Sequence, residues 1–135
     1  MQALLIFCLA FDLAAIKLEP NLERRSERAL ENAAAAMDTA RDASMGGDSA
    51  KVKASLEELR DSVDLAYQSL VDSGKSARRN PKFFKSAELK TRQLMRRLEG
   101  LAQAVDADDR PFVETVRDRV SQVHDDLIQD IMQKK

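Results

Sequence analysis

At 135 residues the chain is long enough for one domain with a core of its own. Charged residues make up 33%, aromatics 4%, and tryptophan is absent, a composition that suits helices packed through alanine and leucine and argues against a β-sandwich. Lys and Arg number 22 against 23 Asp and Glu, so net charge singles out no partner, and any electrostatic preference must come from where the charges lie.

Residues 1–15 read as a targeting element. Ala3 to Phe11 is an unbroken apolar run. It is too short to span a bilayer as a helix, which takes about 20 residues. It matches the core of an export signal, about 7–15 residues. Small residues in Leu13-Ala14-Ala15 offer a cleavage point and a mature chain starting at Ile16 or Lys17, which places the protein in the periplasm or outside the cell. Only Met1 and Gln2 precede the apolar run, so the basic leader of such a signal is missing. The alternatives are an extra apolar turn packed on the rest of the fold, a membrane anchor, or a cytoplasmic protein. Lipid attachment at Cys8 is disfavoured, because Leu5-Ile6-Phe7 lacks the small residues such a site requires. Cleavage would remove the single cysteine, and with it any prospect of a disulfide.

Four helices are predicted after this segment, at about 20–45, 49–73, 81–105 and 110–133. In the first, Leu22, Ser26, Ala29, Ala33, Ala36, Ala40 and Ala43 recur at spacings of three and four, which puts them on one face. Pro20 suits its first turn, and Gly46-Gly47 its end. Asp48 or Ser49 supplies a capping oxygen for the second, whose seam is Val52, Leu56, Leu59, Val63, Ala66 and Leu70. It stops at Ser73-Gly74. Asn80-Pro81 opens the third, with Phe84, Ala87, Thr91, Leu94, Leu98, Leu101 and Val105 as its seam. Asp106, Asp108 and Asp109 precede Pro111 and the fourth, whose seam is Val113, Val116, Val120, Val123, Leu127 and Ile131.

Matched lengths and short connections predict an all-α, antiparallel, up-down-up-down four-helix bundle over residues 16–135. The alanine seam of the first helix predicts close docking with little apolar area buried per residue. A competing expectation is that this face stays open as a groove for a partner, or for a second copy of the chain.

Chemistry is sparse. His124 is the only histidine, and the residues three and four positions away (Val120, Ser121, Leu127, Ile128) are poor metal ligands. The Glu-x-x-His pairing of di-iron bundles is absent. So are a nucleophile elbow and a phosphate-cradling glycine loop. The acid pairs Glu57-Glu58, Asp108-Asp109 and Asp125-Asp126 point about 100° apart on a helix and read as solvated charge. The sequence therefore predicts no enzyme, no metal and no cofactor.

One electrostatic feature stands out. From Lys75 to Arg97 there are nine cations (Lys75, Arg78, Arg79, Lys82, Lys85, Lys90, Arg92, Arg96, Arg97) against one acid, Glu88. Lys82, Lys85, Leu89, Arg92 and Arg96 form a stripe of their own, and Leu89 lies about 200° around the helix from Ala87. The expectation is a solvent-facing basic ridge with one exposed leucine, Phe83 at its entry, and Phe84 plugging one bundle end. Three readings compete. Acids of the neighbouring helices (Asp61, Asp64, Asp118, Asp125, Asp126) neutralise the ridge. Alternatively, it docks on an anionic envelope surface or an acidic protein. Last, a cytoplasmic regulator binds nucleic acid through residues 75–97, a role that export would exclude. The second is adopted, with charge reversal at Lys85 and Arg92 expected to abolish binding and spare stability.

Overall fold

The four stripes of three- and four-residue spacing become four long helices in a computed structural model that describes residues 12–133. A single turn, α1 (Leu13–Ile16), precedes α2 (Leu22–Met45), α3 (Ser49–Asp72), α4 (Pro81–Ala104) and α5 (Arg110–Met132). No strand occurs among the described residues. The fold is an all-helical bundle whose shared interior holds the four predicted seams apart from Leu22, which is half-buried and lies outside the core.

Local chemistry sets the ends. Helix α2 starts at Leu22 rather than at Pro20, because the Asn21 side chain accepts the Arg24 amide at 2.9 Å and satisfies a donor that the first turn leaves unpaired. At its other end Gly47 takes φ +72°, the left-handed conformation that side-chain-bearing residues avoid. That geometry lets the Asp48 amide reach the Ala43 carbonyl at 2.9 Å and the Gly47 amide reach Ser44 at 3.1 Å, a Schellman closure. Asp48, not Ser49, caps α3 by accepting the Lys51 amide at 3.1 Å. The other two expected caps take a different form. Neither the Asn80 nor the Asp109 side chain bonds its helix. Proline in the first turn serves both, and the Asp109 carboxylate instead accepts the Ser49 hydroxyl across the bundle end.

Consecutive helices pair as two antiparallel hairpins, α2 with α3 and α4 with α5. In the first, Asn32 of α2 meets Glu58 and Ser62 of α3; in the second, Glu88 of α4 meets His124 of α5. Between hairpins the neighbours are α2 with α4 and α3 with α5, and they run parallel. Their contacts advance together along both chains: Leu30 beside Leu94 and Met37 beside Leu101 on one side, Ser49 with Asp109 and Tyr67 with Asp130 on the other. The expectation of antiparallel neighbours throughout is thus corrected, since α3 and α4 lie on a diagonal with little contact. Connector length explains it. The turn at residues 46–48 forces side-by-side placement. Residues 73–80 reach about 26 Å at roughly 3.3 Å per residue. The diagonal of a square with sides of 8–10 Å is only about 11–14 Å.

The two hairpins are filled differently. Ala29, Ala33, Ala36 and Ala40 of α2 are fully buried, and opposite them α3 buries Ser55, Ser62 and Ser69 at a seven-residue interval. The alanine face is therefore occupied by α3, and the open groove expected along it is not observed. Val113, Val116, Val120 and Leu98 fill the other hairpin with larger side chains.

Leu13 and Ile16 of α1 are buried, and Ile16 joins the main core. The Asp12 amide donates to Asn32 Oδ1 at 3.2 Å, which ties this turn to α2. The expected cleavage point between Ala15 and Ile16 thus falls inside a packed turn. Residues 1–11, with Cys8 and the apolar run of the expected signal, lie outside the described residues. Among those described, no helix is long and apolar enough to cross a membrane.

Candidate docking surface

Helix α4 presents two stripes. Phe84, Ala87, Leu94, Leu98 and Leu101 are buried, so residues about 200° away at 100° per residue must face water. Lys82, Lys85, Arg92 and Arg96 are exposed, and Leu89 stands out at 45% exposure.

The ridge residues differ in how firmly they are held. Lys75, in the connector, pairs with Glu23 of α2 at 2.9 Å. Arg78 and Arg79 are exposed, and the Arg78 amide donates to Ser76 Oγ. The Lys82 ammonium lies 5.4 Å from the Phe83 ring centroid, within cation–π range. Phe83 itself packs partly against the core, so it is not the free apolar contact expected at the ridge entry. Phe84 is buried, as a plug at a bundle end should be. Arg92 is engaged by Glu88 at 2.9 and 3.1 Å. Among the described residues, Arg79, Lys82, Lys85 and Arg96 make no ion pair.

The acids expected to neutralise the ridge are occupied elsewhere. Asp64 holds Arg119 at 2.8 Å, Asp61 holds Arg60 and Asp118 holds Arg117. Asp126 accepts from Gln122, and Asp125 lies 3.9 Å from His124 Nδ1. The reason is placement. Asp61 and Asp64 sit on α3, the diagonal neighbour of α4, and Asp118 has its partner one residue away. The anionic counterweights of this stretch are instead Glu88 on α4 itself and Glu23 and Asp38 on α2, the last paired with Arg97.

His124 is the residue whose role spacing alone did not reach. Its Nε2 lies 2.8 Å from Glu88 Oε2, with both side chains about one-sixth exposed. Glu88 thereby joins α4 to α5 and Arg92 to both. The Arg92 hydrogen bond holds its carboxyl below the usual carboxylate range, with His124 adding to the effect and partial burial opposing it. The one available signal was that Glu88 is the lone acid among nine cations. No described hydroxyl or thiol bonds His124, and no described group of three or more His, Cys, Asp or Glu side chains could hold a metal ion.

Two of the clefts among the described residues bear on this surface. One, of about 380 Å³, runs between α2 and α4 past Met37, Arg97, Gly100 and Leu101. The other, of about 470 Å³, opens at the bundle end among Tyr67, Val71, Phe84 and Asp130. There the Tyr67 hydroxyl donates to Asp130 at 2.8 Å. Burial, followed by that carboxylate's hydrogen bond and charge, pushes the phenol well above its usual value, so it stays protonated. Neither cleft was legible in the sequence, because both depend on which helices become neighbours.

No family model, no curated protein and no solved structure matches the chain.

Proposed function

We propose that the chain is a non-enzymatic, exported interaction module that docks on an anionic surface of the cell envelope or on an acidic protein through the basic stretch of α4 and the connector before it. In this reading the bundle is up-down-up-down and is preceded by a removable export signal. The observation that carries it is the exposure of Lys82 and Lys85 without an ion-pair partner among the described residues, while Asp61, Asp64 and Asp118 are spent on other cations. Exposed cations on one face attract an anionic partner over a screening length of about 8 Å at physiological salt, even when the net charge is close to zero.

Because Glu88 already holds Arg92, the ridge is best tested at Lys82 and Lys85. The double variant K82E/K85E is expected to lose binding to phosphatidylglycerol vesicles and to polyglutamate alike, and its thermal midpoint should stay close to that of the parent. Wild-type binding should weaken as salt rises. Undiminished binding by the double variant would refute the assignment.

A further inference from the structure

The two ends of the bundle differ in chemistry. One end gathers the turn before α2, the last turn of α3, the connector 73–80, the first turn of α4 and the end of α5. The Lys75–Glu23 ion pair and the Tyr67–Asp130 hydrogen bond tie these pieces together. From Ser73 to Lys85 the chain carries five cations (Lys75, Arg78, Arg79, Lys82, Lys85) and no acid. Four of the acids that come near are engaged: Glu19 with Arg24 and Arg28, Glu23 with Lys75, Asp72 with Gln68, Asp130 with Tyr67. Three large apolar side chains also stand in water at this end, Leu18 at 80%, Met132 at 71% and Val71 at 47% exposure, and Val71 lines the open cleft. The opposite end is formed by the turns at 46–48 and 105–109 and carries Asp48, Asp106, Asp108 and Asp109, with Met45 as its exposed apolar residue.

We infer that the basic end meets a phospholipid bilayer bearing anionic headgroups, with Leu18, Val71 and Met132 entering the headgroup region. The inference rests on the docking function proposed above and narrows it to one surface and one orientation. A nearly neutral chain gains from an anionic plane only if its charges are separated along the approach. Helices of 24 residues separate the two ends by about 36 Å, several times the 8 Å screening length, so the acidic end does not feel the plane. Arg96, about 21 Å along α4 from Lys82, lies beyond it as well. Apolar side chains scattered among cations match the layered chemistry of a bilayer, charge outside and hydrocarbon about 5–10 Å below. A folded acidic protein would need a matching pocket for each of them.

Co-sedimentation of the full chain tests this. The probes are vesicles of phosphatidylglycerol with phosphatidylcholine, vesicles of phosphatidylcholine alone, polyglutamate and duplex DNA. The chain should sediment with the anionic vesicles and much less with the neutral ones. L18S/M132S removes exposed side chains only, and should bind anionic vesicles about ten-fold more weakly with unchanged helicity. R96E should bind within about two-fold of the parent, whereas K82E/K85E should lose binding. Unchanged affinity of L18S/M132S, a loss in R96E as large as in K82E/K85E, or equal binding to neutral vesicles would overturn the inference. Binding to polyglutamate or DNA but not to vesicles would overturn it and leave docking on a polyanion standing. Binding to none of the anionic probes would overturn both.

Discussion

The hairpin α2–α3 and the hairpin α4–α5 have nearly equal helix lengths but hold together by different means. The first is built on alanine against serine, with Asn32 inside it. Its amide donates to Glu58 at 2.8 Å and Ser62 at 2.9 Å, and its carbonyl takes the Asp12 amide. The second is built on valine and leucine, and its polar link, Glu88 with His124, sits near the surface. Small side chains tolerate no added volume, whereas large ones tolerate no loss. The alanine–serine seam of the first hairpin is therefore vulnerable to added volume, and the valine and leucine filling of the second to lost volume.

That contrast can be broken most forcefully by exchanging the two kinds of change. Leu98 is fully buried, and Leu98→Ala should cost about 2–5 kcal/mol of unfolding free energy in a denaturant titration, because the cavity it leaves cannot collapse. Ala36 is equally buried, and Ala36→Leu should cost about 1–3 kcal/mol by overpacking, while an alanine-to-leucine change at an exposed position should be nearly silent. Equal tolerance of both changes in both hairpins would erase the distinction.

A smaller effect sharpens the boundary between hairpins. Gly100 lies within α4, exposed beside the cleft between α2 and α4, and a Cβ there meets nothing within 4 Å. Gly100→Ala should stabilise the protein by about 0.5–1 kcal/mol, read as a raised thermal midpoint, by limiting the unfolded chain. A fall in stability would mean that α2 and α4 approach more closely than this groove allows.

The smallest effect concerns the link within the second hairpin. With the Glu88 carboxyl held below the usual carboxylate range, its pairing stabilises the fold above the ordinary carboxylate pKa. The contribution disappears as pH falls through the lowered native value. An exposed i,i+4 pair such as Glu88 with Arg92 is worth about 0.3–0.5 kcal/mol. Glu88→Gln should therefore be slightly less stable than the parent near neutral pH, and the two stability curves should converge in acid. A constant gap down to low pH would show that Glu88 acts by packing rather than by charge.

Much of the bundle was legible from spacing. The predicted stripes of α2, α3 and α4 are buried except at Leu22, because burial follows the 3.6-residue turn of the helix. Leu30, Asn32, Met37, Ser55, Ser62, Ser69 and Ala102 are buried beside them. The exposure of Lys82, Lys85, Leu89, Arg92 and Arg96 follows from the same rule applied to the opposite face. Less legible was anything that depends on a second helix. Phe83 reads as a ridge residue by position, yet it leans on the core. Asp64 reads as a counterion for the ridge, yet Arg119 takes it, since α3 faces α5 rather than α4. Asn32 belongs to no predicted stripe, and its use shows only when Glu58, Ser62 and Asp12 surround it.

Sequence periodicity alone determined that this chain forms long amphipathic helices, where they break, and which side of each avoids water, because these depend on neighbours within a few residues. Tertiary structure decided which helices share an interface, which acid holds which cation, and that the basic connector, Leu18, Val71 and Met132 come to one end of the molecule. Those outcomes depend on the reach of residues 73–80 across the bundle diagonal, a constraint that binds positions far apart in the chain and leaves no periodic trace in it.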